Sequence, residues 1–384
     1  MKIRYLLVFL IIICGCEKRP KPYVLVTAVN SRTKLVSIDS SEYFKIPIDS
    51  NRTFFYKTYS IGNNGIFCGY NYSRKSLDFF SIPSKKMLAQ TKLDVLSIDV
   101  NLGVRSIFYK NRDSIFIFNN KSSVYMIDST GKIKREIGVN LPRYNPIFEH
   151  LIFHDYDLGN NMYYDGPTNT LYMPAMVVDK PRDSKEYYRQ PILFETKLNS
   201  DPIPKAVPVY YSALFTSQFY GFANAPKFNF LDSGKIIYSF SIEPNIYVYD
   251  MKKDTTIAVG GALNKYPFVS KGLDWKAVFN DDLKMDNLLH NVDYSKVIKD
   301  PYRNLYYRFQ YNPANDTPEK AATENDRQEF LTIFDSDMRI ISTVELTGRR
   351  YIIENSFVAK DGLYVPAPTG FNTLSYKIFK IHTK

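Results

Sequence analysis

The stretch from Val124 to Val139, VYMIDSTGKIKREIGV, decides how this chain is read. Apolar and polar residues alternate up to Asp128, a short polar turn follows, and a second alternating run leads away. Period-two alternation on both sides of a turn marks a β-hairpin. The Asp has a physical reason to stand at the strand end, because its carboxylate can accept from nearby backbone N–H groups and start the turn. The pattern recurs as LVSIDSSEYFKIPI from Leu35, LDFFSIPSKKMLAQTKL from Leu77 and ILFETKLNSDPIPKAVPV from Ile192. It returns as IYVYDMKKDTTIAV from Ile246 and LTIFDSDMRIISTVEL from Leu331. A repeat is therefore the first fact about the fold.

A further strand precedes most of these hairpins: GIFCGYNY, SIFIFNN, TLYMPAMVV, KIIYSFSI and NLYYRFQY. A last copy, GLYVPAPTGFNTLSYKIFKI, lacks its final strand, while the hairpin at Leu35 is spare. Five full units, a truncated one and a spare hairpin point to an all-β fold, a six-bladed β-propeller, with seven blades as the alternative count. An N-terminal strand is then expected to complete the last blade, which removes exposed sheet edges. Successive hairpins are 42, 47, 68, 54 and 85 residues apart. A four-stranded blade needs roughly 40 to 50 residues, so the longer gaps contain insertions. These are DKPRDSKEYYRQ at 179–190, residues 260–300, and NPANDTPEKAATENDRQ at 312–328. The first and third join a second strand to a third, and the middle one joins two blades, so all three are expected on one face. A β-sandwich or a two-domain β-protein with accidental repeats is the alternative fold.

Composition agrees with β-structure: 31 Tyr and 27 Phe stand beside many Ile and Val residues, the types that fit a pleated, half-buried surface. One segment, Leu273 to Ile298, reads as a helical insertion with an imperfect apolar face of Trp275, Val278, Phe279, Leu283, Leu288 and Leu289.

The N-terminus is MKIRYLLVFLIIICGCEKRPKP. Lys2 and Arg4 precede an apolar run from Tyr5 to Ile13, which is too short for a membrane span of about 20 residues and has the form of a secretory signal. Ile13-Cys14-Gly15-Cys16 resembles the lipobox of bacterial lipoproteins, with Cys14 where Ala or Ser is commoner. The expectation is a signal peptide at 1–15, a lipidated, palmitate-bearing Cys16, a tether at 16–23 and one propeller domain at 24–384. Of three cysteines only Cys68 then remains, in an apolar strand where an inert buried thiol is expected. Formal net charge is +11, and +9 without Lys2 and Arg4. The bases are scattered, so no nucleic-acid partner is expected; attraction to anionic surfaces is the milder implication. The tether holds Glu17 as its one acid beside three bases, which places an outer-membrane lipoprotein on the periplasmic face, with surface exposure as the alternative.

The lipobox start, VYMIDSTGKIKREI, IIYSFSIEPNIYVYD, DPYRNLYYRF and FLTIFDSDMRIISTVEL with FVAKDGLYVPA resemble a lipoprotein family, domain of unknown function 4221, related to TolB-like six-bladed propellers. The resemblance spans nearly the whole mature chain. It implies a six-bladed, exported propeller and carries no catalytic residues over.

Candidates for chemistry are few. His150 and His154, in EHLIFHD, lack the Glu that a zincin places directly after its first His; with Glu149 and Asp155 they are conceivable ligands, but two strand or loop histidines are the expectation, with no metal and no cofactor. No G-x-S-x-G elbow occurs. Gly260-Gly261 reads as a turn, and Asp281, Asp282 and Asp286 read as a solvated helix face. The expected function is a monomeric, non-enzymatic binding module, with the bilayer as one partner through Cys16 and a protein, peptide or anionic glycan as another. A hydrolase or lyase acting on an extracellular polymer at the propeller mouth is the alternative. Trp275, Tyr302, Arg303 and Arg308 are the candidate contacts, since Arg offers a planar fork and the aromatics a stacking face. Equally, an Arg of one blade can brace its neighbour, and Trp275 can anchor a helix.

Overall fold

The computed structural model describes residues 24–26, 36–47, 58–62, 64–93, 104–119, 123–138, 151–153, 162–177, 180, 184–199, 204–231, 234–259, 269–314, 322–323, 326–346, 353–368 and 373–383. The chain begins with β1 (Val24–Val26) and β2 (Val36–Pro47), and the blades then follow in order. The first blade is β3 (Tyr59–Ile61), β4 (Ile66–Asn71), β5 (Ser76–Ser81) and β6 (Lys86–Lys92). The second is β7 (Val104–Asn111), β8 (Ser114–Asn119), β9 (Ser123–Ile127) and β10 (Ile133–Gly138). In the third the inner strand is interrupted, as β11 (Leu151–Phe153) and β12 (Tyr163–Asp165), before β13 (Thr170–Val177), β14 (Pro191–Lys197) and β15 (Lys205–Tyr210). The fourth is β16 (Pro226–Leu231), β17 (Lys235–Phe240), β18 (Ile246–Asp250) and β19 (Thr255–Val259), with β1 added parallel to β19. Helix α1 (Asp281–Leu289) lies between the fourth and fifth blades. The fifth has a split inner strand, β20 (Asp293–Tyr294) and β21 (Ile298–Asp300), then β22 (Leu305–Tyr311), β23 (Glu329–Phe334) and β24 (Ile340–Glu345). The sixth is β25 (Phe357–Ala359), β26 (Gly362–Pro368) and β27 (Thr373–Thr383), completed by β2.

The ring is a six-bladed propeller, and the N-terminal strand closes it as the sequence predicts: β2 pairs antiparallel with β27 from Val36–Thr383 to Pro47–Thr373. The expected spare hairpin at Leu35 is instead one long strand. Its apparent turn is a bulge between Asp39 and Glu42, where Ser41 N–H donates to Asp39 Oδ1 at 3.1 Å. Pairing along all of β27 outweighs a local turn that would leave that edge bare.

Elsewhere the Asp residues start turns as expected. Asp128 Oδ1 accepts from the Thr130 and Lys132 N–H groups at 3.0 and 3.1 Å, and Asp250 and Asp335 do the same at their own turns. Among the described residues six tight turns end on a non-glycine residue at positive φ: Lys75, Lys85, Asn169, Asp254, Asn304 and Met338.

Among the described residues the core forms six clusters, one between each pair of adjoining blades. Cys68 is buried in the cluster between the first two blades, and burial raises its thiol pKa. The sixth blade meets the first through Phe357 and Tyr376, whose rings lie 5.9 and 6.2 Å from that of Phe67. Nearer the axis, inner strands are stitched by polar groups. Tyr109 N–H donates to Ser60 Oγ (3.0 Å), Met162 N–H to Ser106 Oγ (2.7 Å), and Lys227 Nζ to the Tyr294 carbonyl (2.8 Å).

The helical expectation over Leu273–Ile298 holds only in part. Trp275–Phe279 form a 3-10 turn, α1 follows, and Ile298 belongs to β21. Asn280 ends the first piece and caps the second, its side chain accepting from Leu283 N–H at 3.0 Å. No α1 residue is fully buried, and of the expected apolar face Trp275 packs against the core while Phe279 and Leu283 are exposed. Among the described residues no helix is long and apolar enough to cross a membrane. Residues 1–23, His150, His154 and Gly260-Gly261 lie outside the described residues.

Candidate binding face

Strand direction alternates within a blade, so connections from second to third strands and from blade to blade emerge on one face, and the remaining turns on the other. On the second face, 62–65, 112–113, 166–169, 301–304 and 360–361 are all short. The first face carries, among the described residues, 184–190, 211–225, 269–292, 312–314 and 326–328, parts of longer connections between strands. Around the third to fifth blades this face is built up into a layer of its own.

That layer is aromatic. Tyr187 and Tyr188, in a 3-10 turn of the third-blade insertion, are buried. Tyr188 stacks on Phe215 at 5.4 Å and meets Tyr211 at 5.1 Å and Trp275 at 5.7 Å. Trp275 also lies 6.1 Å from Phe219. The Phe219 and Leu273 backbones bond reciprocally at 3.2 and 2.6 Å, and Gly272 N–H donates to Gln218 Oε1 at 3.0 Å. A Cβ at Gly272 would collide with the Gln218 side chain. Three segments distant in sequence are thus joined, and Trp275 is half-buried as their common anchor.

The other three candidates are not beside it. Tyr302 and Arg303 form the turn between β21 and β22, on the face opposite the insertions. They follow the 260–300 insertion directly in sequence, which would put them on its rim, but the short strand β21 intervenes and one extra strand reverses the direction. Tyr302 is exposed. Arg303 Nη1 pairs with the buried Asp300 carboxylate at 2.9 Å, and its Nη2 donates to the Lys360 carbonyl of the sixth blade at 3.0 Å. Asp300 also accepts from the Tyr302 and Arg303 N–H groups at 2.9 and 3.0 Å and from the Tyr307 hydroxyl at 2.6 Å. Arg303 is therefore tied into its turn and braces a neighbouring blade.

Arg308, in mid-strand on β22, is 1% exposed. Its Nε donates to the Ser295 carbonyl (3.1 Å), Nη1 to Pro244 (2.7 Å), and Nη2 to Phe240 and Glu243 (3.0 and 3.1 Å). Tyr294 packs under the guanidinium at 4.5 Å. Burial lowers its pKa to about 10, so it stays charged at neutral pH. Its donors face main-chain carbonyls and not the surface.

Glu243, beside it, is also buried, and the sequence offered no signal for it. Its carboxylate accepts from the Tyr247 hydroxyl at 3.1 Å and from Asn245 Nδ2 at 2.9 Å, with Ser212 as a further donor. Burial raises its pKa despite these bonds and the Arg308 charge. The native state then holds a proton more firmly than the unfolded chain, so this group's contribution to stability falls as pH rises from 4.5 through the raised value. We expect the melting temperature of wild type, relative to Glu243→Gln, to increase as pH is lowered from neutral towards 5. A constant or opposite difference would contradict this assignment.

Phe279 and Leu283, expected on an apolar helix face, are exposed in this layer, as are Phe222 and Met285, which the sequence pattern does not single out. One signal was present. Residues 211–225, YSALFTSQFYGFANA, form fifteen positions without a charge, rich in aromatics and outside any strand. Among the described residues no group of three or more His, Cys, Asp or Glu side chains is placed to hold a metal ion.

The chain is similar to a solved structure, a member of the DUF4221 family from Bacteroides vulgatus, at 19% identity and a TM-score of 0.75, covering 92% of this chain and all of that one. That likeness concerns the fold. Weaker similarities reach hydrazine synthase of Kuenenia stuttgartiensis (10% identity, TM-score 0.42, 82% of this chain and 75% of that one) and Hsv2 of Kluyveromyces lactis (10%, 0.43, 84% and 70%), and neither carries an argument. No curated protein matches. The family model described as domain of unknown function DUF4221 matches residues 100–342, well over half the sequence, and the chain belongs to that family.

Proposed function

We propose that this propeller is a non-enzymatic, membrane-tethered binding module that takes a protein or peptide partner on its insertion-bearing face. The observation that carries the reading is the asymmetry of the two faces. Short turns cover one, whereas the other holds long connections welded around Trp275 into a rigid aromatic layer. Connections of such length in a compact domain usually serve a function, and a rigid scaffold that positions them is the common arrangement for binding. The tether is Cys16, and the short apolar run before it supports export and lipidation. The ring would then sit at the outer membrane, facing the periplasm.

Two experiments test the two halves. Cys16→Ser should abolish incorporation of labelled palmitate, and unchanged labelling removes the tether. A photo-crosslinking residue at Gln218 on the insertion face should give a partner adduct in intact cells, whereas one at Pro301 on the opposite face should not. Adducts from Pro301 alone, or from neither position, count against the face assignment.

A further inference from the structure

The apolar side chains left outside on the insertion face lie around one helix. Phe279 is 87% exposed, just before α1; Leu283 and Met285 lie on it at 47% and 42%; Phe222, at 47%, lies on the adjoining 3-10 turn of residues 221–224. The helix rests on that turn, with the Lys284 Cβ 3.1 Å from where a Cβ of Gly221 would stand, and Gly221 itself has φ of 57°. Leu283 and Met285 stand on either flank of the outward Asp282 and Asp286 on the helix, so exposed apolar side chains border its acidic stripe on adjoining segments, unlike the scattered single residues that need no explanation.

The charges on this patch are unlike those of the chain. Lys284, the helix's one base, is folded inward: its Nζ donates to the Val278 carbonyl at 3.0 Å, pairs with Asp281 at 2.5 Å and lies over the Phe222 ring at 4.9 Å. Asp281, Asp282 and Asp286 remain at the surface, and Asp286 is 67% exposed although it meets His290 Nδ1 at 3.0 Å. An acid-dominated helix thus stands on a protein of net charge +11.

We infer that the patch formed by Phe222, Phe279, Leu283 and Met285 with the α1 carboxylates docks a basic, apolar segment of a partner protein. The inference rests on the reading that the insertion face binds a partner, and it names that partner's chemistry. Aliphatic and Phe side chains take the partner's apolar anchors, as in helix-to-groove and hot-spot contacts. The Asp residues steer and orient its Lys or Arg side chains. The same carboxylates oppose an anionic bilayer, which favours a polypeptide over a lipid surface.

The test uses the unlipidated Cys16→Ser chain from residue 16 onward, so that no acyl anchor seats it on vesicles, and two synthetic amphipathic peptides of equal length, one of Leu and Lys and one of Leu and Glu, with fluorescence anisotropy as readout. The Leu/Lys peptide should bind, and its affinity should fall with added salt. The Leu/Glu peptide should bind at least about tenfold more weakly, as should Leu/Lys peptide offered to Phe279→Ser/Leu283→Ser or to Asp282→Lys/Asp286→Lys. These positions are exposed, so the variants should melt with wild type, which separates lost binding from lost folding. No Leu/Lys binding, equal binding to both variants, or stronger attachment of the protein to phosphatidylglycerol vesicles than to the peptide overturns the inference. A native adduct from Gln218 that persists undiminished in both variants would overturn it while leaving the broader reading of the face intact.

Discussion

A chain ending at Asn372 is expected not to fold. The truncation removes β27, the strand that pairs with β26 on one side and with β2 on the other, so the closing blade loses its centre. It takes away the buried side chains of Leu374, Tyr376, Ile378, Phe379 and Ile381. Each such side chain contributes about 2 kcal/mol by burial, and together they approach or exceed the whole stability of a domain, about 5–15 kcal/mol. Phe67, Phe357 and Tyr364 would be left facing solvent or a void, and the ring would open between its sixth and first blades. A chain that begins after Pro47 makes a useful companion, because it loses β1 and the outer strand β2 but keeps the centre of the closing blade, and it should retain more structure. The check is a circular-dichroism melt with a hydrogen-exchange profile. A truncated chain that still melts cooperatively within a few degrees of wild type would refute ring closure as the source of stability.

Arg308→Met is expected to be the most damaging single substitution among the candidate contacts. The thioether fills part of the volume and replaces none of the hydrogen bonds. Carbonyls of Phe240, Glu243 and Pro244 in the fourth blade and of Ser295 in the fifth lose their donor in a buried place. The Glu243 carboxylate loses the nearby positive charge that opposes its desolvation. Breaking one half of such a buried charged cluster costs about 3–5 kcal/mol, since unpaired polar groups carry their full desolvation penalty. Arg308→Lys should recover only a minor part, because one ammonium cannot reproduce a planar fork that serves four carbonyls. Arg308→Met combined with Glu243→Gln should be milder than Arg308→Met alone, since the second change removes the orphaned charge. Thermal melts of the four proteins at neutral pH decide it. A loss below about 1 kcal/mol for Arg308→Met, within the range of ordinary surface changes, would show that the guanidinium is not the brace between these blades.

The pairing of Arg303 with Asp300 belongs to the same class of device. Both arginines that looked like ligand forks from the sequence hold neighbouring blades together, one through the Lys360 carbonyl and one through the carbonyls around Glu243. Alternation along NLYYRFQY correctly separates the side chains into two sets. It does not say which set meets solvent, because in a propeller both sides of a blade are covered by neighbours. Trp275 differs: its packing against Tyr188 and Phe219 makes it the anchor of the insertion layer, and that layer is where the exposed apolar residues gather.

What the sequence by itself determined was local. Alternation and turn-starting Asp residues marked the second, third and outer strands of most blades, the truncated last unit and the sites of the insertions, because those signals act within about twenty residues. The turns closed by Lys75, Lys85 or Met338 were weaker signals, since the left-handed position there holds no glycine. Inner strands such as Tyr59–Ile61, Ile298–Asp300 and Phe357–Ala359 are three residues long, too short for any period to show. Only the tertiary structure decided the rest. Whether Asp39 starts a turn or a bulge depends on β27, more than three hundred residues away along the chain. The burial of Arg308 depends on Phe240 and Pro244, and the exposure of Phe279 on where Gly221 lets the helix rest. A side chain's chemistry is written in its own residue, but its burial is set by whichever distant segment comes to lie against it, and here that placement divides the residues that brace the ring from those left free to bind.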